Sequence, residues 1–274
     1  MNRITFTAVC LLALTGCKGQ PSTPMAQAVE DSVEQNKIPL FAQALIESYP
    51  ESIVGYEDDS LVFADGSKML YDDGLQRSWL DMYDYCDIED MSLWIYTDSV
   101  TPFRDPGRIR CEALFKKMYG ASSQEVRSRT RNVTWCPSLV GGQYTVSTVN
   151  HVADQLQKVS DKLDQHPEWS TYLKCSGTFN WRIVAGTKRL SPHSFAIAID
   201  IGVAKSNYWR WDNRGATESD TISYRNSMLK EIVDIFEQHG FIWGGYWYHY
   251  DTMHFEYRPE LLRYRELLKK QRSH

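Results

Sequence analysis

Between Phe195 and Ile201 the chain alternates without a break. Phe195, Ile197, Ile199 and Ile201 are large and apolar, Ala196 and Ala198 are small, and Asp200 closes the small series. Successive strand side chains point to opposite faces, so this pattern predicts a strand with one packed face and one roomy face ending in a carboxylate. His193 lies seven residues before Asp200. That odd spacing would put the two on opposite faces of a straight strand. His193 therefore belongs on a bend ahead of the strand, and Pro192 suits one.

A second segment, Asp251-Thr252-Met253-His254-Phe255-Glu256, supplies what the first lacks. His193, Asp200 and His254 together offer two imidazoles and a carboxylate. That set forms a catalytic type of zinc site, with a fourth position left open for water. By parity Asp251 lies in the loop before the strand that carries His254. Glu256 shares a face with His254 and is placed to orient it from behind.

The order S-x-H-x-x-G-x-A-x-D followed by (D/E)-x-x-H resembles the zinc D-alanyl-D-alanine carboxypeptidase and L-alanyl-D-glutamate endopeptidase family, the VanY-like peptidases of peptidoglycan. Ser191, His193, Ala198 and Asp200 match the first motif, and Asp251 and His254 match the second. Ala196 stands where the family usually has Gly. Asp at position 251 looks more like the family's endopeptidases than its dipeptidases, which carry Glu. Gly177 to Arg182 and Ala185-Gly186-Thr187 resemble the segment that bears the family's substrate-facing arginine, so the resemblance gives that role to Arg182. It covers roughly residues 135–262. It implies Zn2+ held by His193, Asp200 and His254, Asp251 as general base, and an amide bond of a peptidoglycan stem peptide as substrate. Ser191 and Glu256 support the ligands. A non-catalytic, zinc-containing peptidoglycan-binding module of the same fold is the alternative, and the intact Asp251 speaks against it.

Trp209, Trp211, Trp243, Tyr246, Trp247 and Tyr248 cluster around these motifs. They suit either a groove wall or core packing; Tyr246 and Trp247 are the residues expected to meet substrate. His249 is expected to be a bystander, because His254 fits the ligand spacing. The Gly244-Gly245 pair reads as a turn.

The opposite end carries an address. Met1-Asn2-Arg3 is a positive lead, and Ile4 to Leu14 is mostly apolar. A spanning helix needs roughly 20 such residues, so residues 1–16 read as a signal peptide. Leu14-Thr15-Gly16-Cys17 resembles a bacterial lipobox, which implies cleavage before Cys17 and its lipidation. The expected location is the periplasmic face of the envelope, at the outer membrane in a Gram-negative host because Lys18 follows the cysteine. Residues 17–35 read as a tether. Four cysteines remain in the exported chain: Cys86, Cys111, Cys136 and Cys175. They suggest two disulfides. Three connectivities exist, and pairing neighbours as Cys86–Cys111 and Cys136–Cys175 closes the shorter loops.

Periodicity supplies the remaining elements. Residues 38–48 predict a short helix, and Leu61 to Tyr71 predicts a hairpin with a type I′ turn at Asp65-Gly66. Residues 112–119 predict a helix stopped by Gly120. Val149, Val152, Leu156, Val159 and Leu163 mark an amphipathic helix from near Ser147 to Pro167, and Leu229 to Phe236 mark another stopped by Gly240. A last strand runs from Met253 to Tyr257. The fold expected is α+β: a small antiparallel sheet flanked by helices carries the zinc site in residues 131–274, and an extra α+β region of unknown role occupies 36–130. A net charge of −5 gives no footprint for nucleic acid. The single apolar run excludes a polytopic membrane protein, and a monomer is expected.

Overall fold

The computed structural model describes residues 38–273. The expected signal peptide, the tether and Cys17 lie outside the described residues. Ile38–His274 forms one compact unit, so the regions drawn at 36–130 and 131–274 share one core. It is an α+β structure. No helix among the described residues is long and apolar enough to cross a membrane.

The chain runs α1 (Leu40–Ser48), β1 (Ile53–Glu57), β2 (Ser60–Phe63), β3 (Lys68–Leu70) and α2 (Trp79–Tyr85). A long connection leads to α3 (Glu112–Tyr119), α4 (Ser123–Ser128), β4 (Thr130–Thr134), β5 (Gln143–Ser147) and α5 (Val152–Leu163). The rest is β6 (Cys175–Gly177), β7 (Ala198–Ile201), α6 (Trp209–Asp212), α7 (Lys230–Gln238), β8 (Phe241–Trp243), β9 (His254–Tyr257) and α8 (Pro259–Arg272). Among the described residues three antiparallel sheets result, β1-β2-β3, β4-β5 and β6-β7-β9-β8. In the last of these Asp200 pairs with His254 and Ala198 with Glu256. That register puts two of the three expected ligands side by side.

Helix α5 buries Val152, Leu156, Val159 and Leu163 on one stripe. It begins later than its periodicity predicts. Ser147 ends β5, and Asn150 and His151 take positive φ of 52° and 62°, a conformation that cannot continue a right-handed helix. Helix α7 buries Ile232, Val233 and Phe236, and Phe236 stacks on Phe255 of β9 with ring centroids 3.9 Å apart. This contact ties the helix to the back of the sheet; burying a side chain of that size contributes about 1.5–3 kcal/mol. The β2–β3 turn also departs from expectation. A type I′ turn needs positive φ at both central residues, but Gly66 has it (81°) and Asp65 does not. Instead the Asp65 carboxylate accepts from Ser67 N and Oγ, which closes a longer loop.

The strand expected from Phe195 begins only at Ala198. Pro192–Phe195 is a single 3-10 turn, and Ala196 follows it with φ 54° and ψ 35°. Pro192 lacks an N–H and has a fixed φ, and Ser191 Oγ caps the turn by accepting from His193 N at 3.3 Å. Local chemistry therefore overrides the alternation. The disulfides are corrected as well: Cys86, Cys111, Cys136 and Cys175 are free thiols. Neighbours in sequence close short loops, but a bridge also needs two sulfurs at bonding distance, and no such pair is present among these four. Cys136, for example, directs its sulfur to the Ser160 carbonyl at 3.8 Å.

Candidate active site

Three elements bring the ligand atoms together: the 3-10 turn with His193, β7 with Asp200 and β9 with His254. One ligand atom from each lies within 4.8 Å of the others. His193 Nδ1 is 2.6 Å from the Thr178 carbonyl oxygen, which can only accept, so Nδ1 carries the proton and Nε2 keeps its lone pair. Nε2 is buried without a hydrogen-bond partner and stands 3.2 Å from Asp200 Oδ2. Two electron-rich atoms face each other there, and an intervening cation satisfies both. Asp200 Oδ1 is 2.9 Å from His254 Nδ1, and Glu256 Oε2 is 3.1 Å from His254 Nε2. The donor set therefore fits a zinc ion: both imidazoles have one nitrogen held by an acceptor behind and the other turned to Asp200.

The charges are coupled. Burial works against the Asp200 carboxylate, but the His193 and His254 imidazoles more than reverse it and hold this carboxyl well below the usual range. Burial likewise opposes charge on His254, yet its hydrogen bonds to Asp200 and Glu256 raise it to about 10. Glu256, fully buried, is kept ionised against burial by Arg110, His254 and Arg258.

Asp251 sits in the loop between β8 and β9. Its N–H donates to the Gly244 carbonyl at 3.0 Å, and its own carbonyl accepts from His254 N at 3.2 Å. A side chain on Gly244 would bring its Cβ to 2.6 Å from the Asp251 oxygen, so the glycine permits this close approach. Asp251 Oδ1 is buried and unpartnered. Burial, and then the charge of Asp200, push its carboxyl up to about 7. Near neutral pH this residue can accept and return a proton.

These residues line one cleft of about 280 Å³. Arg182 is exposed on its lining, and Ser191 lines it beneath the His193 turn. Trp247 belongs to the cleft as expected: its ring is 5.6 Å from the His254 ring, and Nε1 donates to the Pro106 carbonyl at 2.6 Å. Tyr246 does not. It packs on Tyr96 and Trp243, with centroids 5.8 Å and 4.9 Å away, and lines a separate depression. The turn at Gly244–Tyr246 directs neighbouring side chains to different sides, so Tyr246 belongs to core packing. Tyr208, Trp209 and Trp211 line the cleft instead.

Sequence reasoning missed the wall that comes from residues 83–110. Arg108 and Arg110 line the cleft. Arg108 pairs with Asp105 at 2.7 Å and with Glu218 at 2.9 Å. His249 was expected to be a bystander, yet it is buried on this wall with Nδ1 2.6 Å from Asp105 Oδ2. The only hint in the sequence is the charged Asp105-Pro106-Gly107-Arg108-Ile109-Arg110 stretch in a region without a motif.

No curated protein and no solved structure gives a significant match to the chain. A family model does match, and it supports a metallopeptidase in general. It spans His193, Asp200, Asp251 and His254 and leaves out Arg182 and the 83–110 wall. Over residues 185–257 the chain is recognised by the model of the D-alanyl-D-alanine carboxypeptidase family.

Proposed function

We propose that the protein is a zinc peptidase that hydrolyses amide bonds in peptidoglycan stem peptides, with Asp251 as general base. One observation carries the reading: the unprotonated, unpartnered His193 Nε2 and the unpartnered Asp251 Oδ1 line the same cleft. His193, Asp200 and His254 would hold a zinc ion, which would supply Lewis acidity and lower the pKa of a nearby water to about 7. Asp251 then receives a proton from the attacking water and returns it to the leaving nitrogen. Arg182 pairs with the developing oxyanion, where its forked donors suit two oxygens. Glu256 and the Thr178 carbonyl hold the imidazoles in their ligating tautomers. Lipidation at Cys17 would hold this activity at the periplasmic face of the envelope, within reach of the cell wall.

Purified protein should bind about one zinc, and His193→Ala or His254→Ala should abolish that binding. Mass spectrometry of muropeptides should show cleavage by the zinc-loaded protein and a loss of about 10²–10⁴-fold in rate for Asp251→Asn with zinc retained. Intact muropeptides after long incubation would instead make the protein a binding module.

A further inference from the structure

In a chain of net charge −5, the end of α8 runs against the average: Leu267 to Arg272 holds Lys269, Lys270 and Arg272 and no acid. Arg265, Lys269 and Arg272 follow at i, i+4 and i+7, so they fall on one stripe of the helix with Leu268 beside them. The stripe borders a depression of about 350 Å³, which Lys230 of α7 also lines. Two acids share it, Glu237 and Asp98. Glu237 is already engaged, because Tyr96 Oη donates to it at 2.7 Å and Arg265 pairs with it at 3.8 Å. Lys230 pairs with Asp234 at 2.5 Å. Among the described residues Lys269 and Arg272 form no ion pair, and both are exposed.

Cations at a helix C-terminus complement its dipole, which accounts for part of the stripe. The dipole does not account for Lys230, the first residue of α7, because a cation is disfavoured at that end. Nor does it account for an apolar rim. Ile95 lines this depression and joins it to a second one, which Leu93 lines as well; the two side chains are 37% and 45% exposed. Three separate stretches of chain thus bring four bases and exposed aliphatic groups together. Such a surface matches an anionic bilayer, whose headgroups take the cations and whose acyl boundary takes the aliphatics.

The attachment of the chain favours the same occupant. Residues 17–37 join the compact unit at Ile38, just ahead of α1, and α1 packs on α8 with the Phe41 and Tyr264 ring centroids 5.3 Å apart. A lipid at Cys17 would keep the bilayer within about 70 Å of that point. A weak surface contact then becomes intramolecular and is well populated.

We propose that the α8 stripe, with Lys230 and the Leu93–Ile95 rim, docks on an anionic lipid bilayer. Docking needs no hydrolysis, so it stands or falls separately from the peptidase activity.

The test uses the chain from Lys18 onward, which keeps the whole compact unit and carries no lipid. At low salt and excess lipid it should sediment with vesicles of phosphatidylglycerol and phosphatidylcholine, and stay in solution with phosphatidylcholine alone. About 0.5 M salt should release it, because exposed charges are then screened within a few ångströms. Each cation near an anionic bilayer is worth about a fivefold change in binding. Lys269→Gln with Arg272→Gln should therefore weaken binding about 25-fold. Lys174→Gln with Lys205→Gln removes the same charge from exposed positions outside the depression, and should change binding less than about twofold. Circular dichroism and zinc content report whether each variant is folded. If the double variant does not fold, Lys269→Gln alone, with its loss of about fivefold, carries the comparison. Equal sedimentation with both vesicles, sedimentation with neither, or equal losses in the two double variants overturns the proposal. So does release from the vesicles by millimolar inorganic phosphate at matched ionic strength, which would make the depression a site for single phosphate groups.

Discussion

Ala196 shows how one residue can be both legible and misread. The sequence shows a methyl where the resembled family has glycine; the structure supplies the reason, a left-handed backbone with φ 54° directly after the His193 turn. Alanine tolerates that conformation at a cost of roughly 1–2 kcal/mol, and a β-branched residue does not. Ala196 is fully buried, so added bulk has no room either. Ala196→Val should therefore lower stability by about 2–4 kcal/mol, read as a reduced urea midpoint with an unchanged slope. The same left-handed residue makes the strand begin later than the alternation suggests, because a period of two carries no information about φ. The meeting of His193, Asp200 and His254 was legible, since each sits at a position its spacing can specify. Tyr246 was not: adjacent aromatics in a 3-10 turn diverge, and composition does not say which one faces the cleft.

Elements carry the next level. The turn at Pro192–Phe195, β7 and β9 meet at the ligand cluster, so a metal there cross-links three pieces of the sheet. Saturating zinc should raise the thermal midpoint of the protein, and chelation should reverse it; a concentration 1,000 times Kd corresponds to about 4 kcal/mol. Little change on chelation would show that the sheet is fully formed without the ion. Helix α5 is the clearest case of sequence dictating an element. Leu156, on its buried stripe, should cost about 2–5 kcal/mol when replaced by Ala, measured by denaturant unfolding. Only its start was missed, because the positive φ of Asn150 and His151 leaves no trace in apolar spacing.

At the scale of the molecule, buried charge joins the site to both ends of the described chain. Glu256 behind His254 accepts from Arg258 at 2.8 Å, Arg258 pairs with Glu260 at 2.5 Å, and Tyr49 from the end of α1 donates to Glu260 at 2.5 Å. Glu256, Arg258 and Glu260 are all fully buried. Glu256→Gln leaves Arg258 and Arg110 short of a counter-charge and should cost about 3–5 kcal/mol at neutral pH. The sign with pH follows from the lowered folded value of Glu256. Its stabilisation is complete above the unfolded value of about 4.5 and is lost as pH falls through the lower folded one. The Gln variant should consequently show a shallower loss of stability on acidification, checked by unfolding free energies across the acid range. Of this network, only Glu256 behind His254 was readable from sequence. Its members are separated by more than 200 positions at the extreme, and pairing at that distance has no local signature.

The 83–110 wall has one more effect, on the order in which the molecule is made. Trp247, Tyr248 and His249 bond to Pro106, Arg104 and Asp105, successive residues of a segment that leaves the ribosome some 140 positions earlier. Contacts so far apart form slowly, after the intervening chain has been synthesised and ordered. The early segment must wait with Arg108 and Asp105 half-paired, and His254 arrives later still. A nascent chain thus completes this cleft only at the close of its assembly, once residues 247–254 have met the segment made earlier.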